Sequence, residues 1–410
     1  MCQTCDLEVM RERIVITGIG IVSAIGANAA ECSASLKAQR SGIGSVRYLN
    51  TVHKEFPVGE VNMSNDEMAA QLGIAIAPHQ PTPRTSLMGS MAIKEATSQA
   101  KLSFEENIAL ISGTTVGGMD MIEQHFHDVL DQKELAQQVA QKNSCGNSTE
   151  QMAQDFPFRM RTTVSTACSS ALNSIIFGDM LLRSGRADAV VAGGSESLTR
   201  YHLNGFKSLM ILDKQPCRPF DATRAGLNLG EGAAFLVLET EHHAKQRGAN
   251  ILAVLSGTGN RCDAFHQTAS SDNGEGAYLA MTEALRTASL QPHDIGYVNA
   301  HGTGTSNNDA SECEALMRTF GKQIPPFSST KAYTGHTTSA SGSIEAAFCV
   351  LALQEQFIPA NLNWKYPMKN GLTPITSIQP AYLRHILCNA FGFGGNDSSV
   401  ILSKYDVNGQ

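Results

Sequence analysis

The sequence predicts an α/β protein built from a repeated unit. Short apolar runs alternate with amphipathic stretches, the pattern of buried strands covered by helices. Glycine is plentiful (36) and proline sparse (14), as expected where many strand-to-helix turns need a positive φ. The two halves also echo each other. RIVITGIGIVSAIG, from Arg13, is similar to NILAVLSGTGNRCD, from Asn250, and NIALISGTTVGG, from Asn107, to IGYVNAHGTGT, from Ile295. The stretch after TACSS has a counterpart after GHTTSASGS. Such echoes are the mark of a duplicated unit.

Strands are expected at 13–18, 107–113, 162–167, 187–194 and 233–239, then at 251–257, 295–300, 325–330 and 398–403. Each is a short apolar run bounded by glycine or polar residues. Helices are expected over 84–102, 118–141, 168–184, 275–289, 308–320 and 339–356. Apolar residues recur at helical spacing in each, as with Leu172, Ile175, Ile176 and Met180. The halves divide at 13–245 and 246–410, behind an extension of residues 1–12. No Pro/Ser-rich linker separates them, so they should pack as one body.

Composition narrows the function. At 42% hydrophobic and 17% charged residues the chain can bury a large core. A net charge of −7 leaves no cationic excess for phosphates, which argues against nucleic-acid binding. No apolar run reaches the roughly 18 residues of a membrane span. MCQTCDLEVMRER lacks the apolar core of a secretory signal, and ten cysteines follow no regular spacing, so reduced thiols in the cytoplasm are expected. Cys2 and Cys5 form a lone C-x-x-C with no second pair at zinc spacing, so no metal site is expected. GIGIVSAIG invites a dinucleotide reading, but Ser23 stands where the third glycine is required. A tight strand-to-helix turn is expected there instead, with no NAD or FAD.

Four segments hold the candidate chemistry. In VSTACSSALNSIIFGDML a β-type run ends at Ala167 and a helix starts at Cys168. A thiol at a helix N-terminus gains thiolate character from the macrodipole, although most cysteines are simply small buried hydrophobes. In NAHGTGTSNNDASECEAL, His301 ends an apolar run and a Gly/Thr loop follows. In SSTKAYTGHTTSASGSIEAA, Lys331 precedes His336. In CNAFGFGGNDSSVIL a glycine-rich turn carries Phe391 and Phe393. One cysteine and two histidines at strand ends beside glycines make a nucleophile–base set.

With these segments, RPFDATRAGLNLGEGAAFLVLE (218–239) and CDAFHQTA (262–269), the chain resembles the β-ketoacyl-acyl carrier protein synthases of the thiolase superfamily. It is most similar to the elongating Cys-His-His type, and the resemblance runs from residue 13 to the end. It implies a thiolase-like fold, two α/β halves layered α-β-α-β-α, and decarboxylative condensation of an acyl-cysteine with a malonyl thioester. In that scheme Cys168 is the acylated nucleophile, with the Cys168 and Phe393 N–H groups forming the oxyanion hole. His301 and His336 meet the enolate oxygen. Lys331 and Glu345 set local charge. Thr303 and Thr305 bind the phosphopantetheine arm, Phe393 gates, and Phe391 and Phe206 line the substrate path. Val116 limits acyl depth. Asp309 and Glu312 match acidic positions of the family's loop and equally suit acids favoured by a helix N-terminus. No cofactor is implied beyond the carrier's phosphopantetheine. The implied partners are an acyl carrier protein, steered by Lys207 and Arg200, and a second subunit. That subunit is a copy of this chain, a related ketosynthase or a chain-length factor.

Two departures stand out. QDFPFRMRTTVSTAC lacks the family's Gly-Pro pair near the dimer seam, and GFGGND replaces the usual GFGGTN, altering Asn396 and Asp397. They point to a pathway-specific synthase, for a polyketide or aryl polyene. The alternatives within the fold are a non-catalytic chain-length factor and a non-decarboxylating thiolase.

Overall fold

A computed structural model describes residues 12–74, 82–131, 143–369 and 371–406. The extension expected at 1–12 therefore lies, but for Glu12, outside the described residues, with Cys2 and Cys5. The described residues form twelve strands: β1 (Ile14–Ser23), β2 (Ile108–Gly113), β3 (Met160–Val164), β4 (Ala189–Glu196), β5 (Gly232–Thr240), β6 (Ala253–Cys262), β7 (Tyr297–Asn299), β8 (Phe327–Ser328), β9 (Phe357–Ile358), β10 (Gln379–Pro380), β11 (His385–Gly392) and β12 (Asn396–Lys404). Ten form one sheet in the order β3-β2-β4-β5-β1-β6-β12-β11-β7-β8. From either edge inward, each five follows one sequence: its own third, second, fourth, fifth and first strand. The pairings match as well, parallel for the outer three strands and antiparallel for the inner ones. The fives meet where β1 and β6 pair antiparallel, Ile14 opposite Leu255 and Ile16 opposite Ala253.

Helices fill the remaining layers. Arg84–Ala100 packs on β1 and β5, and Glu275–Ala288 on β6 and β12. Ser170–Arg183 and Ser341–Glu355 touch each other and strands of both fives, so they form the layer between them. The second of these is buried from Ser341 to Leu353, as a helix without a polar face must be.

The glycine run after Arg13 is not a strand-to-helix turn, because β1 continues through it to Ser23. Its glycines are required by contact. A Cβ on Gly18 would lie 2.1 Å from the Ala96 carbonyl oxygen, and one on Gly20 1.9 Å from that of Ala92. β6 repeats the device: Cβ atoms on Gly257 and Gly259 would lie 2.2 and 2.1 Å from the carbonyls of Ala284 and Ala280. In both central strands, G-x-G lets a helix backbone settle onto the sheet. Other expectations shift in detail. The helix expected over 118–141 is two short ones, Met119–Gln124 and Phe126–Asp131, and 132–142 falls outside the described residues. β11 was not expected as a strand, because Asn389 and Gly392 interrupt its apolar run. Among the described residues no helix is long and apolar enough to cross a membrane.

Candidate active site

The helix expected from Cys168 begins two residues later, at Ser170, with Ser169 as its N-cap. Ala167 takes φ 52°, a left-handed conformation costly for a residue with a Cβ. Local bonds hold it: Ser170 Oγ donates to the Ala167 carbonyl at 2.6 Å and accepts from the Thr166 N–H at 2.8 Å. This turn swings Cys168 out of the strand and into a cavity of about 240 Å³. The same cavity is lined by His301, His336, Thr303, Thr305, Phe206, Phe391 and Phe393.

Cys168 Sγ lies 3.2 Å from His336 Nε2, and the backbone N–H groups of Phe393 and Cys168 itself point at the sulfur. The helix terminus does not win the electrostatic contest expected of it. Burial pushes the thiol up to about 11, against the downward pull of Lys331 and the Phe393 N–H. Both histidines are held well below their usual range, by burial first and by the Lys331 charge second. The resting site is thus a neutral thiol beside two neutral imidazoles.

Lys331 is buried behind His301. Its Nζ donates to Glu345 Oε1 at 2.6 Å and lies 3.2 Å from His301 Nδ1. An ammonium has only donors, so His301 Nδ1 must accept and the ring proton sits on Nε2. The His301 and His336 rings meet edge to face, centroids 5.4 Å apart, and Phe391 flanks His301 at 5.6 Å. Burial lifts the Glu345 carboxyl to about 7, with Lys331 opposing.

Asp309 lies in the first turn of the helix Ser306–Phe320, where an acid suits the N-terminus, and Glu312 follows one turn later; both are buried. Glu312 accepts the His301 and Gly302 N–H groups, both at 2.8 Å, and Asp309 accepts those of Gly304 (3.1 Å) and Phe220 (2.8 Å). They grip the loop that presents His301, Thr303 and Thr305. The two threonine hydroxyls meet at 2.9 Å. Phe206 stacks on Phe393, centroids 5.9 Å apart, closing one wall. Val116 is buried but does not line this cavity; its N–H faces Glu196 at 3.4 Å. Arg200 is tied to Glu123, and Lys207 lies exposed beside His53 on the helix that carries Phe206.

Sequence reasoning missed two hubs. Glu196 accepts the Thr114 hydroxyl at 2.6 Å, the Thr115 N–H at 2.9 Å and the Thr338 hydroxyl at 3.1 Å, joining the Val116 loop to the loop after His336. Asn396 Oδ1 accepts from Ser169, Asn173 and Asn260 at 2.7–3.0 Å. A lone acid ending the apolar run of β4, and the altered GFGGND loop, were the available signals. Among the described residues no three His, Cys, Asp or Glu side chains converge as metal ligands.

Comparison with known proteins identifies the family. The family profile "Beta-ketoacyl synthase, N-terminal domain" matches residues 11–244, and "Beta-ketoacyl synthase, C-terminal domain" matches 252–365. The 3-oxoacyl-[acyl-carrier-protein] synthase 2 of Vibrio cholerae is 32% identical, across 96% of this chain and 99% of its own. Nodulation protein E of Rhizobium meliloti is 34% identical, across 95% and 98%. The solved ishigamide ketosynthase/chain length factor superposes with a TM-score of 0.88 at 30% identity, covering 97% of this chain and 100% of that one. A ketosynthase in complex with its chain length factor from Xenorhabdus doucetiae gives 0.84 at 30% identity, covering 96% and 98%. The thiolase-like fold and the profile matches across both halves leave one assignment: the chain belongs to the β-ketoacyl synthase family of acyltransferases.

Proposed function

We propose that this chain condenses an acyl group held on Cys168 with a malonyl unit, both delivered on the phosphopantetheine arm of an acyl carrier protein. The observation that carries the reading is the Cys168–His336 contact of 3.2 Å inside a cavity that His301 also lines. In the first half, Cys168 Sγ attacks the acyl thioester. Its proton passes through His336 Nε2 to the departing carrier sulfur. The tetrahedral oxyanion accepts from the Cys168 and Phe393 N–H groups.

In the second half, malonyl carrier loses CO2 and the freed electron pair becomes an enolate. Its oxygen accepts from His301 Nε2–H, whose proton Lys331 fixes in place, and from His336 once its Nε2 has taken up the solvent proton that later restores the thiol. The enolate carbon attacks the acyl-cysteine carbonyl, the C–S bond breaks, and one proton from solvent restores the thiol. The steps balance with these residues and no further co-reactant. Thr303 and Thr305 hold the arm, and Lys207, exposed beside the Phe206 wall, steers an acidic carrier.

The reading extends to assembly and place. β3 is a sheet edge left partly exposed, and a second chain, identical or a related ketosynthase subunit, pairs there. All eight cysteines among the described residues are free thiols, in keeping with a reducing cytoplasm. The departures at 154–168 and 394–397 favour a polyketide or polyene pathway over bulk fatty-acid synthesis.

Intact mass and CO2 release, followed together with acyl- and malonyl-loaded carrier protein, test the reaction. An acyl adduct on the wild type and none on Cys168→Ala, with a β-keto product formed alongside CO2, is the expected result. CO2-free formation of acetoacetyl-CoA from acetyl-CoA would instead mark a thiolase. A wild type that takes no acyl label, even with a partner subunit present, would mark a chain-length factor.

A further inference from the structure

The cavity roof consists of two loops that meet edge to edge. One follows β6 and contributes Thr268, Ala269 and Ser270; the other joins β11 to β12 and contributes Phe391 through Gly395. Two backbone bonds zip them together: Asp263 N–H to the Gly395 carbonyl and Gly394 N–H to the Gln267 carbonyl, both 2.8 Å. Beneath this zip sit two carboxyl side chains. Asp263 accepts from the Ser271 N–H and hydroxyl, both at 2.7 Å, and from the Gly276 N–H at 3.2 Å, so it organises its whole loop. Asp397, the first buried residue beyond the glycine loop, is 4% exposed. A Cβ added to Gly276 would lie 2.1 Å from Asp397 Oδ2 and 2.8 Å from Asp263 Cβ, so both acids press on one glycine.

We propose that Asp397, packed against Asp263 at the base of both roof loops, is a positioning residue that sets how readily the Phe393 loop parts from its neighbour. The inference rests on reading Phe393 as the gate above an acylated Cys168. Asp263 turns both oxygens to the Ser271 and Gly276 donors, so a negative charge on buried Asp397 beside it is costly while the loops are together. Burial lifts the Asp397 carboxyl to about 8, and the charges of Asp263 and Glu312 add to the push. No cation among the described residues offsets this. Arg261 lies opposite Asp397 across the sheet, but its guanidinium turns to Glu283 at 3.1 Å. Phe391, its neighbour on β11, is apolar, and Glu275 on the packed helix pairs with Arg318 at 2.8 Å. The family's usual asparagine at this place has no proton to lose.

The sign follows. With the loops closed, Asp397 keeps its proton to about 8; with them parted, solvent returns it to the ordinary range near 4. Between these values the open form gains on the closed one by as much as tenfold per pH unit. Hydrogen exchange of segments 262–270 and 390–397, corrected for intrinsic rates, reads this directly from pH 6 to 9 in the full-length protein. Cys168 acylation by an acyl-pantetheine thioester is followed beside it. Wild-type protection should fall with pH and then level off, while Asp397→Asn should stay flat. Asp263→Asn, which leaves Asp397 but removes the charge facing it, should move the break to lower pH. A wild-type profile retained in Asp397→Asn, or a break unmoved by Asp263→Asn, overturns the proposal. Failure of the nucleophile assignment shows differently: no acylation in any variant, with the exchange profiles still distinct.

Discussion

The loop leaving β3 carries Cys168 and feeds the helix Ser170–Arg183. At the equivalent place in the second five, the loop leaving β8 carries Lys331 and His336 and feeds Ser341–Glu355. Each has a non-glycine residue forced into the left-handed region beside its key side chain: Ala167 (φ 52°) before Cys168 and Thr338 (φ 46°) after His336. One topology has therefore been used twice to aim a side chain from a strained turn toward the layer between the halves. One turn delivers the nucleophile and the other delivers proton chemistry. The edges differ as well. β3 is half open, whereas β8 is covered by its own chain, with Ser328 donating to the Pro359 carbonyl at 2.7 Å and the Ile375 N–H to the Phe327 carbonyl at 2.9 Å. With Pro359 and Ile375 covering the second edge, the sheet is more open at β3, the place proposed above for a second chain.

The sharpest way to break the comparison is to remove the protic groups of the second half while the nucleophile stays. Deleting one preorganised donor to a developing oxyanion costs about 10²–10³ in rate, so His301→Ala and His336→Ala should each lose condensation on that scale. They should differ on the first half-reaction. His336 touches Sγ and His301 does not, so His301→Ala should still take an acyl label on Cys168 at close to the wild-type rate. Equal loss of labelling in both would mean that the division of labour between the two turns is wrong.

A smaller effect on rate, but a larger one on stability, is expected at Lys331. Lys331→Met leaves Glu345 buried without its cation, a type of change that costs about 3–5 kcal/mol. It also frees the His301 tautomer. Adding Glu345→Gln should restore most of the stability and none of the activity. The pH dependence separates the two effects. Glu345 has a folded value raised from 4.5 to about 7, so its contribution is fully present below about 4.5 and is lost as pH rises through about 7. Denaturant titrations of Glu345→Gln across that interval should be flatter than wild type; an unchanged slope would show that the carboxyl does not titrate there.

What the sequence made legible follows from what local chemistry can encode. Strand and helix positions were readable because buried runs and 3.6-residue spacing are local. The triad segments were readable because glycine, cysteine and histidine sit together in short motifs. The role of G-x-G in β1 was not, since the clash that demands it comes from Ala92 and Ala96, more than seventy residues away. Cys168 shows the same limit. Its place before a helix is local, whereas the cavity in which it is buried is lined by residues of both halves, Phe206 and Leu227 from one and His301, His336 and Phe393 from the other. Asp309 and Glu312 could not be read as loop anchors until their N–H partners were visible, and Asp309 is a first-turn helix acid as well.

The smallest expected effect tests the first loop of each half. The loop after β7 presents His301, Thr303 and Thr305 to the cavity. The loop after β2 presents Val116 to none of it and is held instead by Glu196. If Val116 limits acyl depth from the far side of Cys168, trimming it matters only to chains long enough to arrive. Val116→Ala should then leave transfer of a two-carbon acyl group unchanged and favour longer chains, each extra methylene seated in an apolar pocket being worth about 1–3 kcal/mol of discrimination. Loss of two buried methyl groups should also lower stability by about 1–2 kcal/mol, at about 0.8 per carbon. A chain-length series of acyl pantetheines, read against the thermal midpoint, separates the two. A uniform drop across all lengths would mean that Val116 serves only to pack the Glu196-held loop, and that the acyl path leaves Cys168 by another wall.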